Sequence, residues 1–297
     1  MKQQNGQRLY IAVLNIETNA KNEAVPSIET NVDWSILPQS IQIVPVVYIP
    51  NHVFERIDKT AIEHFVKNLS HYFLNKIPPS VFFPEIQIDC DWTEKTRVAY
   101  FSFLEKLKLQ VQKPISATIR LHQIKYRSKT GIPPVDKGAL MMYNLNAPNK
   151  YSSQNSIFDA NECEKYLKGQ KRYDLPLDIA LPVFSWGLVF RNKQYQGIFN
   201  GLSIDESKNL SFLNLNTEGG KNYFQVVQDT VFRGLYLRYG DEIEIEEVNE
   251  NDLYDAAKLA RPMLNNDTTN VVFYHLNSSI IKNLDAHVFQ KVLNYLH

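Results

Sequence analysis

An α/β fold, built on a parallel sheet whose strands are joined by helical crossovers, is what this sequence predicts, and three observations predict it. Runs with strand periodicity and runs with helix periodicity take turns along the chain. The 297 residues are 44% hydrophobic and 22% charged, enough for one large core. Barrels of alternating strands and helices commonly reach about 250 residues as a single domain. Finally, Glu85 to Trp92 alternates polar and apolar residues, ends in two carboxylates and is followed by a helical pattern. The carboxyl end of a strand is where such folds bind ligands and do chemistry.

The elements follow in order. Strand-like runs are Leu9 to Ile16, Ile41 to Ile49, Glu85 to Asp91, Ile115 to His122, Ala139 to Leu145, Leu177 to Phe184 and Asn270 to Leu276. Between the second and third, Ile62, Phe65, Val66, Leu69, Phe73 and Ile77 form a helical stripe closed by Pro78-Pro79. After the third, Thr93-Glu94 reads as N-cap and first helical residue, with Val98, Phe101, Leu104 and Leu107 at helical spacing. Further helices fit Asn161 to Lys168, Asn251 to Leu264 and Asp285 to Leu296. This number of strands favours closure, which gives a TIM-like (β/α) barrel over residues 1–297 as one domain. The count is one short of eight, so the barrel is expected to lack its first strand. Because an open edge is a template for pairing, the gap beside Leu9 to Ile16 and Asn270 to Leu276 is expected to be open, covered by an irregular segment, or filled by another strand. Between about 187 and 248 the alternation breaks into short strand-like runs, Leu210 to Leu215, Tyr223 to Val227 and Leu235 to Tyr239. This is a β-rich insertion, with Tyr239-Gly240-Asp241 read as a hairpin turn joining Arg233 to Arg238 with Glu242 to Val248.

Composition excludes some partners. Lys plus Arg and Asp plus Glu are both 32 and no long basic run exists, so nucleic acid is not expected. Cys90 and Cys163 fit no metal-ligand spacing, and neither does any His pair, so no metal or other cofactor is expected. No segment approaches the roughly 20 apolar residues of a membrane span, and Leu9 to Leu14 is too short for a signal-peptide core. Oligomeric state is not legible.

Period-two alternation puts Gln87, Asp89 and Asp91 on one strand face and Ile86, Ile88 and Cys90 on the other. On the next strand it groups Ser116, Thr118, Arg120 and His122, and strands about 4.8 Å apart bring Arg120 within reach of the two aspartates. Met141 and Tyr143 share a face with Asn144 at the strand end, Phe184 and Trp186 follow another strand, His275 and Asn277 are in phase on the last, and Asn15 and Glu17 close the first. Carboxylate, amide and aromatic side chains at one mouth suit a sugar, whose ring stacks on aromatics and whose hydroxyls hydrogen-bond. The bland alternatives are an internal ion-pair network for Asp89, Asp91 and Arg120, a helix-dipole role for Glu94, and core packing for Met141 and Tyr143.

The order of Asp89-x-Asp91, then a strand, then Met141-x-Tyr143-Asn144, then a late Trp186 resembles the chitinase-type family 18 glycoside hydrolases, which are TIM barrels. Over Ile86 to Leu104, Ser116 to Tyr126, Gly131 to Asn144 and Leu175 to Arg191 the chain is more closely similar to an uncharacterised group of secreted or lipid-anchored barrel proteins of Bacteroidetes-type bacteria. The resemblance implies an extracytoplasmic, carbohydrate-active barrel. It departs from the hydrolase pattern where that family's acid would stand, here Thr93, and where the family has Asp, here Asn144. The expected roles are therefore Asp91 as general acid and Asp89 as the residue that tunes it. Arg120, His122, Tyr143, Asn144, Trp186 and His275 would hold the sugar. The rival is a barrel of the cell surface that binds glycan or protein without catalysis.

Overall fold

The computed structural model describes residues 7–38, 40–151, 154–216, 222–265, 268–275 and 285–296. It divides into two compact units, Met1–Ala139 with Tyr173–Leu177, and Leu140–Arg172 with Asp178–His297.

The first unit carries β1 (Arg8–Thr18), β2 (Ala24–Glu29), β3 (Gln42–Tyr48), β4 (Ile86–Asp89) and β5 (Ile115–Arg120). β1, β3, β4 and β5 pair in that order and all in parallel. The free side of β1 is taken by β2, which runs antiparallel to it with Leu14 opposite Glu29 and Thr18 opposite Ala24. A further strand was one of the expected outcomes for that edge, and β2 supplies one on the β1 side. Pro26 hides β2 from a sequence reading, because proline removes a ladder donor and is tolerated only at strand edges and bulges.

The helices of this unit are α1 (Val53–Arg56), α2 (Lys59–Asn75), α3 (Arg97–Val111), α4 (Leu121–Lys125) and α5 (Arg127–Thr130). Asp58 caps α2 by accepting from the Ala61 amide, and the helix buries Ile62, Phe65, Val66, Leu69 and Phe73, the stripe read from the sequence. α3 differs from expectation. It starts at Arg97 behind Thr96, not at Glu94, because the Thr96 hydroxyl accepts from the Thr93 amide and holds Thr93 to Thr96 in a turn. Its buried side is Tyr100, Phe103, Leu104, Leu107 and Val111, while Val98 is exposed. Phe65 and Phe103 stack at 4.9 Å between centroids where α2 meets α3.

At the amino ends of the strands, buried Glu85 accepts from Arg8 Nη1 at 2.9 Å and Ser116 Oγ at 3.0 Å, and pairs with Lys137 Nζ at 2.8 Å. A carboxylate this deep is tolerable only when paired and fully hydrogen-bonded, and this one ties β1, β5 and the start of β6 (Lys137–Met141) together.

In the second unit, β7 (Leu177–Pro182) pairs in parallel with β15 (Val271–Tyr274), and buried Asp178 accepts from the Asn270 amide at 3.0 Å. α6 (Ala160–Leu167) and α9 (Ala286–Leu296) both pack on α8 (Glu250–Ala260). The β-rich insertion is a five-stranded antiparallel sheet. Its strands are β8 (Ser185–Arg191), β9 (Gln194–Asn200), β10 (Leu213–Leu215), β11 (Tyr223–Val226) and β14 (Glu242–Glu247). α7 (Ile204–Ser207) lies in the same stretch.

The expected hairpin is not formed. β14 pairs with β8 and β11, while β13 (Leu235–Leu237) pairs with β12 (Thr230–Phe232). The two-residue turn is Arg233-Gly234, both at positive φ, which matches the twist of a tight hairpin. Tyr239-Gly240-Asp241 is a corner held by Asp241, whose carboxylate takes both Arg191 Nε and Nη2 at 2.7 Å.

β14 has one apolar face, where Ile243 and Ile245 join a core with Val189, Phe199, Leu213 and Phe224. The other face carries Glu242, Glu244 and Glu246, and the last two are buried. Glu246 accepts from Ser156 N at 2.9 Å, Ser156 Oγ at 2.5 Å and Trp186 Nε1 at 2.6 Å. Glu244 has Tyr223 as partner on one side, but its Oε2 is buried without one. Burial, and then the neighbouring Glu246, raise the Glu244 carboxyl to about 7 despite the Tyr223 hydrogen bond.

A carboxyl raised in this way keeps a proton in the folded chain that the unfolded chain has released above its ordinary value of 4.5. The stability it contributes is therefore complete below that value and is lost as pH rises through about 7. Replacing Glu244 with Gln removes the titration, so the variant should gain on the wild type by on the order of 1–3 kcal/mol between pH 5 and pH 8. Chemical denaturation of both proteins across that range checks this. Parallel pH curves would show that Glu244 does not titrate there.

Candidate functional site

The carboxyl ends of β1, β3, β4 and β5 carry a row of polar side chains set by strand register. Asn15 is paired with Tyr48, and Tyr48 with Asp89. Thr118 lies beside Asp89 and donates its hydroxyl to Asp89 Oδ1 at 2.7 Å. Two residues further along, alternation brings Glu17, Asp91 and Arg120 to the same face. The opposite face of β4 is apolar: Ile86, Ile88 and Cys90 are fully buried, and Trp92, next in phase, stacks on Tyr100 of α3 at 5.2 Å.

Asp91 and Arg120 form a two-pronged pair, Nε to Oδ1 at 2.5 Å and Nη2 to Oδ2 at 2.9 Å. The carboxylate is 44% exposed and the guanidinium 20%, so the fork opens to solvent along one side. Gln123 fixes its geometry from behind. Its fully buried amide accepts from the Arg120 backbone at 2.8 Å and donates to the Trp92 carbonyl at 3.0 Å, bridging the turns after β5 and β4. Trp92 Nε1 in turn donates to the Thr130 carbonyl at 2.9 Å.

Asp89 sits deeper. Burial pushes its carboxyl up, the Thr118 hydrogen bond and Arg120 pull it down, and Asp91 adds to the rise. Tyr48, 40% exposed at the end of β3, is raised by burial and by the same two aspartates. His122 belongs to α4 rather than to the strand, because β5 stops at Arg120; burial holds it below the ordinary histidine value, while nearby Asp91 opposes that shift. On the rim of β1, Glu17 Oε2 accepts from His52 Nε2 at 2.8 Å. Tyr48, Gln123 and His52 are absent from the sequence-derived site, whereas Thr118 is already grouped on its face by alternation. The phase of β3 could have revealed Tyr48, but Gln123 lies in a helix that no periodicity announced.

The remaining predicted residues lie in the second unit. Tyr143 is buried and stacks face to face on Tyr274 at 5.1 Å. Phe184 meets the edges of both and of Trp186, and lies against His275 at 5.9 Å. Asn144 is exposed with φ of 56°, a left-handed conformation that asparagine tolerates, and its amide donates to the Ile157 carbonyl at 2.8 Å. Trp186 is not a loose strand-end aromatic: it lies within β8, only 9% exposed, with its indole bound to Glu246. Tyr274 is the exposed aromatic of this group, at 46%. Burial lowers His275. Asn277 lies outside the described residues. Among the described residues no group of three His, Cys, Asp or Glu side chains is placed to hold a metal ion, and no helix is long and apolar enough to cross a membrane.

No protein-family model matches the sequence, and no curated protein matches it. Solved structures do match in fold. A chitinase from Chromobacterium violaceum aligns with a TM-score of 0.60 at 12% identity, covering 98% of this chain and 91% of its own. The Bacillus cereus spore cortex-lytic enzyme aligns with a TM-score of 0.56 at 13% identity, over 96% of this chain and 67% of its own. The chain therefore shares the fold of chitinase- and glycosylase-type proteins at very low identity.

The Thr118 hydroxyl is the bond that holds Asp89 down against burial. Replacing Thr118 with Val, nearly equal in volume, should move the Asp89 carboxyl further up, as followed by carbon-13 NMR of the carboxyl. Because a raised carboxyl is costly only above its unfolded value, the accompanying loss of about 1–2 kcal/mol should be larger at pH 8 than at pH 4. An unmoved Asp89 titration would mean that the Thr118 hydroxyl is not what tunes it.

Proposed function

We propose that this protein is a carbohydrate-active barrel of glycoside-hydrolase type, with its site at the carboxyl ends of β3, β4 and β5. The observation that carries the reading is the contrast between two carboxylates on one strand. Asp89 is half-buried, raised and held by a neutral hydroxyl, whereas Asp91 is gripped by Arg120 on both oxygens with its carboxylate 44% exposed. The fold shared with a chitinase supports the reading.

The two aspartates have different tasks. A general acid must carry a proton to the glycosidic oxygen as the carbon–oxygen bond breaks, which requires a carboxyl that resists ionisation. Asp89 meets that requirement. Asp91 was the sequence-level choice, but with both of its oxygens accepting from Arg120 it suits positioning, and the fork presents charge-assisted hydrogen bonds to sugar hydroxyl or amide groups. Tyr48 offers an exposed ring for stacking, and His122 a polar rim group. In the second unit, considered by itself, Tyr274 offers an exposed ring stacked on buried Tyr143, with Trp186 bracing it through Phe184.

One observation favours binding without catalysis. Position 93, next in phase after Asp91, is a threonine whose backbone and side chain are turned into the contact with Thr96, so no third carboxylate extends the strand. Calorimetric titration with chito-oligosaccharides, together with a panel of aryl glycosides, separates the readings. The expected result is binding with turnover, and a fall in turnover of about 10²–10⁴-fold for Asp89→Asn with binding retained. Binding without any turnover would leave the non-catalytic reading, and no binding would sink both.

A further inference from the structure

The three glutamates of β14 face a cover made by Tyr151 and residues 154–158, and they are bound to it unequally. Glu242 accepts from the Tyr151 hydroxyl at 2.6 Å, and Glu246 accepts from Ser156 N, Ser156 Oγ and Trp186 Nε1. Glu244, between them and only 5% exposed, has the Tyr223 hydroxyl on one side and an oxygen, Oε2, with no partner. Deepening the carbohydrate reading of the second unit, on which its ligand rests, we propose that Glu244 and Glu246 form a proton-operated clasp. One proton held on the pair keeps the cover closed and the Tyr274 ring seated for a sugar, and loss of that proton to solvent releases both.

Two lines of contact run from Glu246 to that ring. Through its indole, Glu246 fixes Trp186, which packs on Phe184 at 5.2 Å, and Phe184 meets Tyr274 at 5.7 Å and Tyr143 at 5.9 Å. Through Ser156 it fixes the cover, to which the chain directly after Tyr143 is tied: Asn144 N donates to the Ile157 carbonyl at 2.8 Å and Leu145 N to the Ser156 carbonyl at 3.2 Å. Tyr143 and Tyr274 then stack on each other at 5.1 Å. A single carboxylate thus anchors both supports of the exposed ring.

Glu244 decides whether that anchor can hold. The two carboxyls are two residues apart on one strand face, roughly 7 Å between backbones. A buried carboxylate oxygen without a donor is costly and a second charge nearby adds to the cost, so a proton on Glu244 removes both penalties. The groups facing Glu244 are Tyr223 from β11, Glu242 and Glu246 from β14 itself, and Tyr151 and Ser156 from the cover. Opposite the three glutamates β8 presents Phe190, Leu188 and Trp186, which carry no charge, and Lys193 Nζ stands over the Tyr151 ring at 5.6 Å. Burial and then Glu246 hold the Glu244 carboxyl at about 7, against an ordinary 4.5. Opening the cover to water returns it to the ordinary value, so the closed form binds the extra proton. Closure is therefore fully favoured below 4.5 and weakens as pH rises through about 7.

The experiment labels the tryptophans with nitrogen-15, follows the Trp186 indole N–H by NMR between about pH 5 and pH 8, and titrates chito-oligosaccharide calorimetrically at both ends of that range. In the wild type the indole signal is expected to move with a midpoint of about 7, and the affinity to fall about tenfold from the acid to the alkaline end. Glu244→Gln should keep the indole at its acid position and bind equally at both. Tyr223→Phe, which removes the donor that favours the charged form, should move the midpoint upward. His275, against Phe184, keeps its own titration in both variants and so does not account for a difference from the wild type. A Trp186 signal that does not titrate, or that titrates alike in the wild type and Glu244→Gln, would overturn the clasp whether or not a sugar binds. A titrating indole beside a pH-independent affinity would overturn its hold on Tyr274. Absence of binding at either pH would remove the carbohydrate reading and the clasp's ligand with it, while the indole titration still confirms or overturns the clasp itself.

Discussion

The geometry of the candidate site depends on one buried amide. Gln123, fully enclosed, accepts from the Arg120 backbone and donates to the Trp92 carbonyl, so a single side chain sets the spacing of the two turns that follow β4 and β5. Backbone groups at those turns have left the sheet ladder, and a buried polar group without a partner costs about 1–3 kcal/mol. Gln123 satisfies both at once. The consequence reaches the surface: with the two turns locked together, the Arg120 guanidinium meets both oxygens of Asp91, and the fork is preorganised rather than assembled when a ligand arrives. Trp92, stacked on Tyr100 and hydrogen-bonded to Thr130, anchors the same turn to α3 and α5.

The first unit separates structure from chemistry along the length of its strands. At the amino ends, Glu85 is enclosed by two cations and a hydroxyl, which leaves it no freedom and no exposure. At the carboxyl ends, the polar groups are arranged with slack: Asp89 has one hydroxyl partner, Asp91 and Arg120 face solvent on one side, and Tyr48, Glu17 and His52 are half exposed. Saturated charge stabilises, whereas unsaturated charge held in place is available to a ligand.

The insertion sheet shows how far context can override composition. Glu242, Glu244 and Glu246 alternate with isoleucines as they would on a strand with one wet face, yet Glu244 and Glu246 are as buried as the core. Tyr151 and Ser156, from the segment after β6, cover that face and donate to Glu242 and Glu246, and Trp186 donates its indole. Glu244 alone is left with an oxygen unsatisfied, and it is the one pushed towards neutrality.

Much of this was legible from local pattern. Period two in Ile86 to Asp91 and Ile115 to Arg120, and period 3.6 in Ile62 to Phe73, report which face is apolar, and burying that face is the dominant force on each segment. Those patterns alone put Asp89, Asp91 and Arg120 on one face of neighbouring segments. Tertiary structure decided what local pattern does not encode. Where β5 stops and α4 begins is set by Gln123 reaching back to the preceding turn, so His122 left the strand face. Whether Trp186 is a rim aromatic or a buried one depends on Glu246, 60 residues away, and the partners of β14 are β8 and β11 rather than the adjacent β13. β2 could take the open side of β1 despite Pro26 because an edge strand needs only one of its two ladders. Local sequence fixes which face of a segment is apolar; which segments meet is fixed by long-range pairing, whose hydrogen bonds and buried charges are completed by residues far away in the chain.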